Sequence, residues 1–181
     1  MKHALLLFAC LLTGCNLPIF NSSKSITEIG ESFHTGLGRS SLEVILRRDG
    51  TAEMTCVFYE LDDEFSADSM QVKSISFCED MFKMYRSGFV KKDGGDLSQT
   101  VKGRIELEQF NALAKLMVDN GFLTMADRYE ESGLMDAPPT FTWIVYPKGK
   151  KQVSDQADRG GPKLKEIEDA IYKTAREIAF K

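Results

Sequence analysis

Hydrophobic and polar positions alternate most cleanly between residues 42 and 58. Leu42, Val44 and Leu46 alternate with Glu43 and Arg47, and Ala52, Met54, Cys56 and Phe58 alternate with Glu53 and Thr55. The two runs are joined through Arg48-Asp49-Gly50. Period-2 runs meeting at Asp-Gly predict a β-hairpin whose inner face carries Cys56. Ahead of it, Ile26 and Ile29 suit a short first strand, followed by a loop at Gly36 and Gly38. Gln71 to Val90 reads as one or two strands with Cys78 between them, Lys91-Lys-Asp-Gly-Gly95 as a tight turn, and Thr100 to Ile105 as one more short strand.

The period then changes. Leu107, Phe110, Leu113, Ala114 and Met117 fall on one side of a helix over Glu106 to Asn120, with Gly121 as its left-handed cap and Phe122 packing back on the last turn. A polar loop over residues 123–138 leads into Thr140–Tyr146, a strand rich in β-formers. Lys148-Gly-Lys150 turns that strand into Gln152–Ser154. Gly160-Gly-Pro162 opens a final helix with a stripe of Leu164, Ile167, Ile171, Ala175 and Ile178. The order is strands, helix, strands, helix. It implies one α+β domain over residues 25–181: an antiparallel sheet of about four to six strands with two amphipathic helices on one face. The other sheet face is then the natural seat for a partner.

The first residues follow different rules. Met-Lys-His gives a short positive start, Ala4 to Leu12 is apolar, and Thr13-Gly14 ends the run well short of the ~20 residues of a membrane-spanning helix. Leu12-Thr13-Gly14-Cys15 resembles the bacterial lipobox. The resemblance implies that residues 1–14 are a removed signal peptide, that Cys15 carries diacylglycerol through a thioether and usually an acyl chain on its amine, and that residues 15–24 are a lipidated tether. Two or three chains make such an anchor durable, since each buried methylene contributes only ~0.8 kcal/mol. Asn16, where aspartate would favour the inner membrane, directs the expected location in the cell envelope toward the outer membrane.

Composition narrows the partners. The chain has 23 basic and 27 acidic residues; cleavage before Cys15 would remove Lys2 and take the net charge from −4 to −5. Signs are interspersed, so there is no basic footprint for nucleic acid, and membrane contact would rest on the lipid. Of four cysteines, processing removes Cys10 and lipid occupies Cys15. Cys56 and Cys78 remain, either as a disulfide closing about 22 residues and worth roughly 3 kcal/mol or as two separately buried thiols. His34 is the one histidine outside the signal, which leaves no histidine-rich metal site, and the acidic turn Glu60–Glu64 lacks the glycine and spaced oxygens of a calcium loop. No metal and no cofactor are expected.

Asp127, Tyr129, Glu130, Glu131 and Asp136 crowd the loop before Thr140. Paired carboxylates can carry acid/base chemistry across a cleft, so Asp127, Tyr129, Glu130 and Asp136 form the candidate binding loop. The same residues also suit an ordinary polar connection. Trp143 and Tyr146 fall on opposite faces of their strand, as fillers of core and sheet surface.

The run from Ile26 to Ala175 is similar to an uncharacterised family of secreted and lipid-anchored bacterial domains. The matching pieces are the strand ending at Asp49-Gly50, Gly103-Arg-Ile105 leading to Gln109-Phe110, and Gly121-Phe122. Tyr129, Asp136 before Pro138, the Lys150 turn with Val153, and Pro162-x-Leu164 follow in order. Members often carry C-x-G-x-C-P before the first hairpin. Here Gly36-Leu-Gly-Arg-Ser-Ser41 has no cysteine, so a role tied to those thiols is absent. The expectation for function is a lipid-anchored envelope protein with a non-catalytic binding or structural role. The alternatives are an inhibitor of a secreted hydrolase and a hydrolase using the loop carboxylates.

Overall fold

The hairpin at Asp49-Gly50 sets the register of half the sheet. Gly50 takes φ +88°, a conformation open to glycine at little cost, and Asp49 Oδ1 accepts from Thr51 N–H and Oγ1 at 2.9 and 2.7 Å. The computed structural model describes residues 22–34, 40–58, 90–91, 97–130 and 139–180. Its strands are β1 (Glu28–His34), β2 (Ser40–Arg47), β3 (Thr51–Phe58), β4 (Val90–Lys91), β5 (Leu97–Arg104), β6 (Arg128–Tyr129), β7 (Thr140–Tyr146) and β8 (Gly149–Asp155). Helix α1 (Leu107–Asp119) follows β5, and α2 (Gly161–Glu177) follows β8.

The strands form one eight-stranded sheet in the order β4-β5-β3-β2-β1-β7-β8-β6. All pairs are antiparallel except β6 with β8. The fold is α+β, with more strands than the about four to six expected. Two of the additions, β4 and β6, are two-residue edge strands, too short for any periodicity to reveal. The strands expected over residues 71–89 lie outside the described residues.

Leu42, Val44, Leu46, Ala52, Met54 and Cys56 are all buried on the face that meets the helices. Phe110, Leu113, Ala114 and Met117 reach the same core from α1, and Leu164, Ile167, Ile171 and Ala175 reach it from α2. Fully burying one such aliphatic or aromatic side chain stabilises by roughly 1.5–3 kcal/mol. Gln109 Oε1 accepts from Glu106 N–H at 3.3 Å and starts α1. Gly121, at φ +75°, ends it as the left-handed cap, with Phe122 buried behind. Beyond α2, Ile178 and Phe180 pack where Gly103 has no side chain.

The segment entering β1 is clamped by one residue. The Arg48 guanidinium donates to Ile26 O and Ser23 O, each at 2.6 Å, and to Asn111 Oδ1 at 2.8 Å. It also lies 5.0 Å from the Phe110 ring centroid. Residues 22–26 are thus pinned against α1 before the chain enters the middle of the sheet.

Candidate functional site

Two groups of side chains stand out, one on each face of the sheet. The outer face, opposite the helices, carries a polar row across five strands. Arg47 on β2 bridges Glu53 on β3 at 3.3 Å and Glu28 on β1 at 3.1 Å. Trp143 Nε1 on β7 donates to the other oxygen of Glu28 at 3.1 Å, and Lys150 Nζ on β8 lies 4.2 Å from the Trp143 ring centroid. The register explains the row: Glu28 faces Arg47 on one side and Val145 on the other. Trp143 faces Gly30, where an added Cβ would stand 2.8 Å from the indole nitrogen. Glycine at 30 therefore lets the ring lie flat and become 95% buried on the outer face. Thr55 and Thr100 extend the face onto β5 through a 2.9 Å hydroxyl pair. Beside the row, Thr27, Glu28, Arg47, Arg48, Asp49 and Val145 line an open groove of about 480 Å³.

The second group lies under α2, on the helix-facing side. Glu31 on β1 stands beside Thr142 on β7, and Thr142 Oγ1 donates to Glu168 Oε1 on α2 at 3.2 Å. Asp155 ends β8 and accepts from Gly160 N–H at 2.9 Å. The turn between them holds Ala157 and Asp158 in the left-handed region, φ +56° and +58°, which is uncommon for residues with a Cβ. One carboxylate oxygen each from Asp155, Asp158 and Glu168 lies within 4.8 Å of the others. Lys165 brings positive charge, 3.5 Å from Asp158 and 3.7 Å from Asp169.

Charge is expensive on the buried members of this group, Glu31 and Glu168. Burial, reinforced by Asp155 and Asp158, pushes the Glu168 carboxyl up to about 7 against the opposing Thr142 hydrogen bond and Lys165. Glu31 is raised well above its ordinary value, first by burial and then by Glu168 and Asp169. It is only 7% exposed, and its Oε2 has no hydrogen-bond partner among the described residues.

Of the expected binding loop, Asp127 to Glu130 are brought to the β8 edge and tied into the sheet. Lys151 Nζ donates to the Asp127 carboxylate and, at 2.7 Å, to Met125 O; Lys151 therefore holds Asp127 below its ordinary carboxyl range. Tyr129 lies in β6, packs on the core and accepts from Ala126 N–H at 3.2 Å. Glu130 accepts from Ser154 Oγ at 2.8 Å. These three groups fasten the edge strand β6 and do not converge on a cleft. Asp136 lies outside the described residues, as do Cys15 and Cys78; Cys56 is fully buried on β3.

No protein-family model, curated protein or solved structure matches the chain. Among the described residues no helix is long and apolar enough to cross a membrane. The residues of the acidic group were not singled out from the sequence. One signal was present: Glu168 interrupts the apolar side of α2 between Leu164, Ile167 and Ile171.

Proposed function

We propose that this chain is a lipid-anchored protein of the bacterial cell envelope, held through Cys15 and binding another envelope component on the outer face of its sheet. The carrying observation is the row Glu53–Arg47–Glu28–Trp143–Lys150, whose side chains are already locked by mutual contacts. Pre-ordered side chains lose little conformational freedom on association, which favours a binding surface. The groove beside Glu28 and Arg47 gives that face relief, and no described helix covers it. Of the loop carboxylates that could have supported hydrolysis, Asp127 is engaged with Lys151 and Glu130 with Ser154, which favours a non-catalytic role. The anchor rests on the lipobox resemblance at residues 12–15, and Asn16 directs it to the outer membrane.

Photo-crosslinking residues placed in the full-length chain test the surface in living cells. Positions 55, 100 and 102 on the outer face are expected to capture one common partner. Positions 108 and 115 on α1 are expected to leave it uncaptured; equal capture from α1 would overturn the assignment of the face. In parallel, Cys15→Ser is expected to abolish lipid labelling and release the chain from sedimented envelopes. Unchanged maturation and sedimentation would refute the anchor.

A further inference from the structure

We propose that the end of the domain at which the chain enters lies against the lipid surface, with the Leu107 side chain set into the headgroup boundary beside the anchor at Cys15. The inference rests on the lipid anchor proposed above and adds a fixed orientation to it. Leu107 is the one large hydrophobic side chain exposed among the described residues, at 53%. Single exposed leucines are ordinary on protein surfaces, and the position of this one is what sets it apart. It opens α1, one turn before Asn111 and on the same side of the helix. Asn111 Oδ1 accepts from the Arg48 guanidinium, which also donates to Ser23 O. Leu107 therefore neighbours the point where residues 22–26 are clamped to the fold.

Neighbouring elements complete the rim at this end. Ile105 N–H donates to Gly50 O at 3.0 Å, which seats the start of α1 on the β2–β3 turn, and Glu28, first in β1, pairs with Arg47 and Val145. From Cys15 to Ser22 the backbone reaches at most about 25 Å at full stretch. β1 carries the opposite end of the sheet roughly 20 Å further away, so this rim is the part of the domain that the anchor holds closest to the bilayer. Lys24, Arg104 and Lys148 are exposed on it together with Asp49, Glu106 and Glu108. Charge of both signs gives no net pull toward anionic lipid, which leaves the orienting to an apolar contact. From free solution the exposed half of one leucine would retain almost nothing. In a chain already tethered the contact is intramolecular, and the same burial favours the seated over the tumbling domain about fivefold.

The test uses the full-length chain matured in cells, extracted in detergent and reconstituted into phosphatidylcholine vesicles with or without bromine on the acyl chains. Leu107→Trp and Asp119→Trp each place an indole on an exposed position of α1, at its two ends, and the buried Trp143 gives a constant background. Brominated lipid is expected to quench at least half of the added emission at 107 and less than a tenth at 119, with no change in about 0.5 M sodium chloride. Tryptophan favours bilayer interfaces by itself, which the variant at 119 controls. Hydrogen exchange reads the native residue: on vesicles, residues 105–109 should exchange severalfold more slowly in the unmodified chain than in Leu107→Ser, and residues 155–161 equally in both. Sedimentation with the vesicles checks the anchor separately. A chain that stays in the supernatant refutes the anchor and the orientation together. A sedimenting chain with equal quenching at 107 and 119, quenching lost in salt, or unaltered exchange in Leu107→Ser overturns the orientation alone.

Discussion

Replacing Glu168 with glutamine isolates the cost of keeping a carboxylate under α2. The side chain is 9% exposed and faces Thr142 from β7, Glu31 from β1, Asp155 from the end of β8, Asp158 from the turn, and Lys165 on its own helix. Its folded pKa of about 7 lies above the ordinary 4.5. Below pH 4.5 both folded and unfolded chains hold the proton, so the group costs nothing. Between 4.5 and 7 the unfolded chain releases its proton while the folded chain retains it, and stability falls as pH rises. Above 7 the full cost is present, about 3 kcal/mol at ~1.4 kcal/mol per pH unit. Glutamine keeps an acceptor for the Thr142 hydroxyl and carries no charge. Glu168→Gln should therefore match the wild type at pH 4.5 and exceed it at pH 8 by about 2–3 kcal/mol, raising Tm by roughly 5–10 °C. Urea unfolding followed by circular dichroism measures both curves. The difference between them reports Glu168 together with its coupling to Glu31, whose proton it helps to hold. A variant no more stable than the wild type at pH 8, or a difference constant from pH 4.5 to 8, would refute the reasoning.

Two further substitutions probe the frame around the sites. Gly30→Ala places a methyl group against the Trp143 indole and should cost about 1–3 kcal/mol through overpacking. Trp143 is the sole tryptophan, so an emission red shift should accompany the loss, and an unchanged Tm and spectrum would contradict the packing described. Arg48→Ala removes three charge-assisted hydrogen bonds and the Phe110 contact, with an expected loss of about 2–3 kcal/mol. Limited proteolysis should then cut residues 22–26 faster than in the wild type; equal cutting rates would show that the clamp contributes nothing.

Much of the sheet and both helices were legible because one interaction dominates each of them. The alternation over Leu42–Leu46 and Ala52–Cys56 placed every inward residue correctly, since each strand there buries a single apolar side. The stripe from Phe110 to Met117 did the same for α1. β1 was harder to read because its inward set includes Glu31 and its outward set includes Gly30, so a charge sits inside and the smallest residue outside. Tertiary pairing decides both positions: Gly30 answers to Trp143, more than a hundred residues away in sequence. Carboxylate density marks the candidate loop but is blind to Lys151 and Ser154, which engage Asp127 and Glu130. The acidic cluster assembles from positions 155, 158 and 168, which only the packing of α2 over the end of β8 brings together.

The location of β1 also determines how the molecule answers to force. A pull on the chain ahead of Ser22 meets the Arg48 clamp first and then runs along a central strand. That strand is hydrogen-bonded to β2 from Glu28 to His34 and to β7 from Glu28 to Ser32. Load along its axis strains both ladders in shear, so many bonds resist together, whereas a peripheral strand pulled from its end would unzip one bond at a time. A domain hung by its N-terminus from a moving surface would thus take tension through a strand bonded along both edges.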